Sequence, residues 1–150
     1  MVKELKVSAL ENGTVIDHIP SKSVFQVIRI LNLEHYGNQI LFGTNLESKK
    51  FGTKGIIKVT NKFFKKEEVD KIALVAPSAT LIVIKDFQII EKANVSIPDY
   101  IEGIVNCFNP NCITNFEKVT TKFNRVTDDE LKLRCHYCEK ITGKNNMVFQ

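Results

Sequence analysis

No stretch of this chain stays apolar for the roughly 20 residues that a membrane-crossing helix needs, because charge interrupts every longer apolar run. No N-terminal segment combines a charged start, an apolar run and a small-residue cleavage site, so no signal peptide is expected and the default compartment is the cytoplasm. The phosphate-cradling pattern G-x4-G-K-[ST] is missing, since Gly52-Thr53-Lys54-Gly55 has neither its spacing nor its context. A G-x-S-x-G nucleophile elbow and an HExxH zinc helix are missing as well. Only three histidines occur, none in a recognisable triad. His18 follows Asp17, but neighbours on a strand point to opposite faces, which argues against an acid–base pair. These absences predict a chain without a catalytic centre.

Acidic residues are also missing between Lys49 and Lys66, where Lys49, Lys50, Lys54, Lys58, Lys62, Lys65 and Lys66 cluster. A single-sign stretch is either a solvated face or a receptor for an anion. On a strand from Lys54 to Thr60, alternation puts Lys54, Ile56, Lys58 and Thr60 on one face, the two lysines about 13 Å apart. That pair could clamp an extended anion such as a nucleotide, or simply protect an edge strand from pairing. Spacing alone does not decide.

The 43% apolar composition supports a packed core, and 150 residues suffice for one domain or two small ones. Residues 4–10 and 14–19 read as extended, broken at Asn12-Gly13. Val24, Val27, Ile28 and Leu31 recur at helical spacing after Ser21 or Ser23, either able to cap. Strands follow over Ile40–Leu46 and Gly55–Thr60. A helix is expected over Lys66–Ala76, with Glu67 and Glu68 in its first turn and Pro77 ending it. Thr80–Ile84 and Phe87–Glu91 are further strands.

This order, with one extra strand, is that of a ferredoxin-like antiparallel sheet carrying two helices on one face. Residues 94–99, containing Pro98, read as the linker. Beyond it lie short extended pieces near 101–106, 117–124, 131–134 and 146–149. The expected class is therefore α+β, with an N-terminal domain over 1–98 and a small C-terminal β zinc-binding domain over 99–150.

All four cysteines lie in the second domain, spaced Cys107-x4-Cys112-x22-Cys135-x2-Cys138. Two close pairs separated by a loop match a four-cysteine zinc site, each pair on its own turn. In a reducing compartment clustered thiols favour metal over disulfides. Four protein ligands leave no open position, so one structural Zn2+ per chain is expected. A domain of about 50 residues commonly needs such a staple. Lys132, Arg134 and Lys140 can offset the charge of the four thiolates. His136, inside the second knuckle, reads as a surface residue.

Three further runs carry a resemblance: Gly-Thr-Val-Ile-Asp-His-Ile-Pro at 13–20, Ile-Ile-Lys-Val at 56–59 and Ala-Pro-Ser-Ala-Thr at 76–80. With Cys-x4-Cys and Cys-His-Tyr-Cys-Glu-Lys they make the chain, from about Leu5 to Val148, resemble the regulatory chain of aspartate carbamoyltransferase. The resemblance implies a non-catalytic allosteric subunit of pyrimidine biosynthesis. It implies an N-terminal domain that binds nucleotide effectors of the ATP, CTP or UTP class and a zinc domain that grips the catalytic chain. It further implies homodimers formed through the N-terminal domains, three of which link two catalytic trimers.

Carried over position by position, it implies effector contacts from Ala9 and Leu10 around the base, and polar contacts from Asp17, His18, Lys58 and Lys92. Lys54, Ile84, Phe87 and Ile89 would line the pocket. Asn109, Asn111, Glu139 and Lys140 would dock the catalytic chain. The chain departs from the family at Ile82, where an Asn is usual, and at Phe87, where an aromatic hydroxyl is common.

The competing reading is a zinc-ribbon nucleic-acid binder. Against it, the basic stretch lies in the other domain, and residues 101–150 hold seven Lys or Arg against six Asp or Glu. They also lack a clear aromatic stacking platform. A small phosphate-ester enzyme would need a nucleophile or open metal site that the sequence lacks. Neither nucleic acid nor membrane is expected as a partner.

Overall fold

The computed structural model describes residues 10–49, 52–126 and 130–150. The expected strand over 4–10 lies outside them except for Leu10. The chain divides into two compact units, Met1–Ile97 and Pro98–Gln150.

In the first unit β-branched residues build β1 (Gly13–Ile19), and α1 (Val24–Ile30) follows a 3-10 turn at Ser21–Ser23. Then come β2 (Ile40–Ser48), β3 (Gly52–Thr60), α2 (Lys66–Val75), β4 (Thr80–Lys85) and β5 (Gln88–Asn94). The strands form one sheet in the order β2-β3-β1-β4-β5, antiparallel at every pairing. This is the ferredoxin-like order with β5 added at an edge.

Both helices pack on the same face, as expected from the order of elements. Ile16 of β1 lies opposite Ile57 of β3, and Ile57 and Val59 share a face with Gly55. A Cβ on Gly55 would collide with Val24 Cγ2 of α1, so glycine lets helix and strand approach closely. Val24, Val27, Ile16, Ile57, Val59, Ile72 and Ala73 are fully buried. Each Val or Ile among them contributes on the order of 1.5–3 kcal/mol.

Helix boundaries follow local chemistry. Neither Ser21 nor Ser23 caps α1 with its side chain: the Ser21 hydroxyl donates to Thr53 Oγ1 instead (3.0 Å). The helix stops before Leu31 because Asn32 turns left-handed (φ 57°). At α2, Glu68 Oε1 accepts from the Lys65 N–H (3.0 Å), closing the first turn. The linker is shorter than expected, since β5 runs to Asn94 and Val95 is buried with its N–H on the Ala79 carbonyl.

The second unit holds a four-stranded sheet in the order β10-β9-β8-β6, made of β6 (Tyr100–Glu102), β8 (Lys122–Arg125), β9 (Lys132–Cys135) and β10 (Ile141–Gly143). A separate ribbon pairs β7 (Val105–Asn106) with β11 (Val148–Phe149). Gly103, with φ 70°, breaks the expected 101–106 strand into two. The core is small: Phe123, Ile101, Leu133, Val105 and Ile104 are its main apolar members.

Candidate ligand face and metal centre

Opposite the helices, the first unit's sheet carries a row of cross-strand neighbours through all five strands. Leu41 faces Lys58, Lys58 faces Val15, Val15 faces Ile82, and Ile82 faces Lys92. Directly paired residues project to the same side. Two lysines therefore flank an apolar floor, three strand spacings or about 14 Å apart. Leu10, Val15, Ile82 and Ile84 form one buried cluster there, with Ile56 packed against it. Lys58 is itself buried (8% exposed).

Above this row Ile84 faces Ile89, and Ile89 is exposed. Phe87 sits in the β4–β5 turn in left-handed conformation (φ 63°), exposed, its N–H donating to the Glu11 carbonyl. That bond brings Phe87 beside the segment holding Leu10. Ala9 lies outside the described residues.

Below the row, Asp17 faces Thr80 and Thr80 faces Asn94. Lys54 Nζ lies 2.8 Å from Asp17 Oδ1. The same carboxylate oxygen accepts from the His18 N–H (2.6 Å). His18 breaks the alternation expected of a strand: its φ is 57°, and the β1–β3 register shifts between Ile16 and Ile19. The Ser78 hydroxyl donates to the His18 carbonyl (2.8 Å), and the ring Nδ1 lies 3.1 Å from Thr80 Oγ1. Left-handed non-glycine backbone costs on the order of 1–3 kcal/mol, and these bonds hold it.

The structure thus gathers Leu10, Asp17, His18, Lys54, Lys58, Ile84, Phe87, Ile89 and Lys92 along one side and one end of the sheet. Sequence reasoning missed Val15, Thr80 and Asn94. Thr80 stood in a quoted motif, but its partner Asn94 emerges only from the register.

In the second unit, Cys107 follows β7, Cys112 precedes a 3-10 turn, Cys135 ends β9, and Cys138 lies in the turn to β10. None forms a disulfide. The four Sγ atoms lie within 4.8 Å of one another; Cys107–Cys138 are 3.6 Å apart and Cys112–Cys135 are 3.7 Å apart. A tetrahedron with metal–sulfur bonds of about 2.3 Å has edges of about 3.8 Å, so these donors fit a zinc-sized ion.

The loops are tied around the sulfurs. The Cys112 N–H donates to the Asn109 carbonyl, the Glu139 N–H to the Cys135 carbonyl, and the Cys135 N–H to the Lys140 carbonyl. Asn115 Nδ2 reaches the carbonyls of Cys107 (3.1 Å) and Asn109 (2.7 Å). Thr114 Oγ1 donates to Cys112 Sγ (3.2 Å).

Burial pushes the Cys107 and Cys135 thiols up from their ordinary range, partly offset by hydrogen bonds from nearby backbone N–H groups. Burial raises Cys138 too, but hydrogen bonds from the Asn109 side chain and the Lys140 backbone outweigh it and bring it to about 7. Buried thiols of this kind become thiolates when a cation replaces their protons.

His136 is exposed and stacks edge-on with Tyr137 (centroids 5.1 Å), the surface position expected of it. Asn111, Glu139 and Lys140 are exposed around the centre. Asn109 is half-buried, and its Oδ1 accepts from the Asn111 N–H (3.1 Å).

A four-cysteine cluster suited to a metal ion in one unit and a helix-backed antiparallel sheet in the other define a two-unit protein with a metal-binding unit. Models of the aspartate carbamoyltransferase regulatory chain match both units, the allosteric domain over residues 5–96 and the metal binding domain over 99–148. A regulatory chain from Pyrococcus horikoshii is 54% identical over 147 residues, 97% of either chain. One from Bacteroides fragilis is 51% identical over 144 residues, covering 96% of this chain and 94% of its own. The chain belongs to the aspartate carbamoyltransferase regulatory chain family. It is a regulatory, non-catalytic subunit with an allosteric and a metal-binding domain.

Proposed function

We propose that this chain carries nucleotide control to an aspartate carbamoyltransferase catalytic chain. Its N-terminal sheet binds a nucleoside triphosphate of the ATP, CTP or UTP class, and its metal domain holds the catalytic chain. The observation that carries the reading is the row Lys58–Val15–Ile82–Lys92. An apolar floor suits a base or sugar face, and cations at either side suit phosphate oxygens. Asp17, His18 and Lys54 add polar contacts at one end, with Leu10, Ile84, Phe87 and Ile89 around the base. Ile82 offers the base only apolar contact and backbone, so selectivity among bases rests on other groups.

The metal is zinc, one ion per chain, held by Cys107, Cys112, Cys135 and Cys138. It positions the loops that present Asn109, Asn111, Glu139 and Lys140 to the catalytic chain. Chains pair as homodimers through their N-terminal domains. Exposed Leu41 and Phe42 on edge strand β2, with Phe25 packed edge-to-face against Phe42, supply apolar area for such pairing. Reduced cysteines and the absence among the described residues of a helix able to cross a membrane fit a cytoplasmic setting.

Mixing the zinc-loaded chain with catalytic chain and following particle mass tests the assembly half. Calorimetric titration with ATP, CTP and UTP tests the effector half. Failure to enlarge the catalytic particle would overturn the first, and no heat with any of the three the second.

A further inference from the structure

One hydrogen-bond chain at the end of the sheet fixes a chemical detail. Thr80 Oγ1 is buried, with the residue only 5% exposed, and it donates to Asn94 Oδ1 at 2.9 Å. A hydroxyl has a single proton to give. Its second contact, 3.1 Å to His18 Nδ1, must then be one in which it accepts, and Nδ1 carries the hydrogen.

The geometry enforces the order of partners. Thr80 and Asn94 are a direct cross-strand pair, so their side chains stand on one face. Asp17 is the partner of Thr80 on the other flank. The left-handed turn at His18 swings its ring to that same Thr80, held from both sides by Asp17 Oδ1 on its N–H and Ser78 Oγ on its carbonyl.

We infer that Asn94 and Thr80 are positioning residues that lock His18 in its Nδ1–H tautomer and direct its ligand contact through Nε2. The neutral ring then offers a ligand an acceptor at Nε2 and becomes a donor there only as imidazolium. A hydroxyl or amine of a nucleotide meets the neutral ring, and an anionic oxygen meets the imidazolium. This inference rests on the effector reading above for its ligand, but the tautomer stands or falls without one.

The test is nitrogen-15 NMR of the histidine rings in the zinc-loaded full chain, at a pH where His18 is neutral. His35→Gln and His136→Gln variants assign the signals. The expected spectrum shows Nδ1 protonated in the parent and in Thr80→Ser, and a shift towards Nε2 protonation in Thr80→Val and Asn94→Ala. Titration with ATP and CTP should show affinity roughly five- to tenfold weaker in Thr80→Val, restored in Thr80→Ser.

An Nε2-protonated ring in the parent overturns the inference, as does a parental tautomer unmoved in the variants. Asn94 is exposed, so Asn94→Ala decides the matter if Thr80→Val fails to fold. If the parent binds neither nucleotide, the effector reading fails while the spectra still judge the relay.

Discussion

Lys54 Nζ and Asp17 Oδ1 lie 2.8 Å apart, and that same oxygen anchors the His18 N–H at 2.6 Å. The two partners are therefore not equivalent. Removing Lys54 loses one partly exposed ion pair, whereas removing Asp17 also strips the support of a left-handed backbone. Lys54→Ala should cost at most about 1 kcal/mol, and Asp17→Ala about 2 kcal/mol. Thermal unfolding should show the larger drop for Asp17→Ala, and equal drops would contradict the shared anchor.

Phosphate recognition should reside in Lys58 and Lys92. Lys58→Met keeps an apolar stem in the row beside Val15 and Leu41 but removes the charge. Triphosphate affinity should fall about tenfold or more, in line with the loss of a charge-assisted hydrogen bond. Affinity for the corresponding nucleoside, which has no phosphate, should stay within about twofold. Equal losses for nucleoside and triphosphate would place the lysine's role elsewhere.

Gly55 should tolerate no side chain. A Cβ there meets Val24 Cγ2 of α1, so Gly55→Ala must push the helix off the sheet. A loss of roughly 1–3 kcal/mol is expected, and a paired Val24→Ala should recover part of it. A neutral Gly55→Ala measured by denaturant unfolding would show that the helix is not seated there.

Metal removal should act on one unit only. Chelation, or Ser at any of Cys107, Cys112, Cys135 or Cys138, takes the staple from a unit with a small core. Amide exchange over residues 98–150 should then rise sharply while nucleotide binding persists. Loss of nucleotide binding along with the metal would speak against two separable sites.

The cysteine centre was legible in the sequence because its ligands come in local pairs whose spacing dictates two turns. Helix α2 was legible for a similar reason, with Glu67 and Glu68 at its start and Pro77 beyond its end. The row through Lys58, Val15, Ile82 and Lys92 was only half legible. Alternation put Lys54 and Lys58 on one face, but the neighbours across β1, β4 and β5 depend on registers that no local pattern encodes. The left-handed turn at His18 also escaped, since nothing in Asp17-His18-Ile19 marks it, and with it went the Thr80–Asn94 relay. The bond that Asn109 Oδ1 accepts from the Asn111 N–H likewise depends on how the loop folds around the cysteines, which spacing alone does not show.

The central claim is that one chain both grips the catalytic chain and transmits a nucleotide signal to it. The direct measurement is activity against aspartate concentration for catalytic chain alone and for the zinc-reconstituted complex, each with and without ATP, CTP and UTP. At least one nucleotide should shift the complex's half-saturating aspartate, leave isolated catalytic chain unchanged, and lose its effect in Lys58→Met. A complex that assembles but responds to none of them, or a response equally present without this chain, would contradict the account.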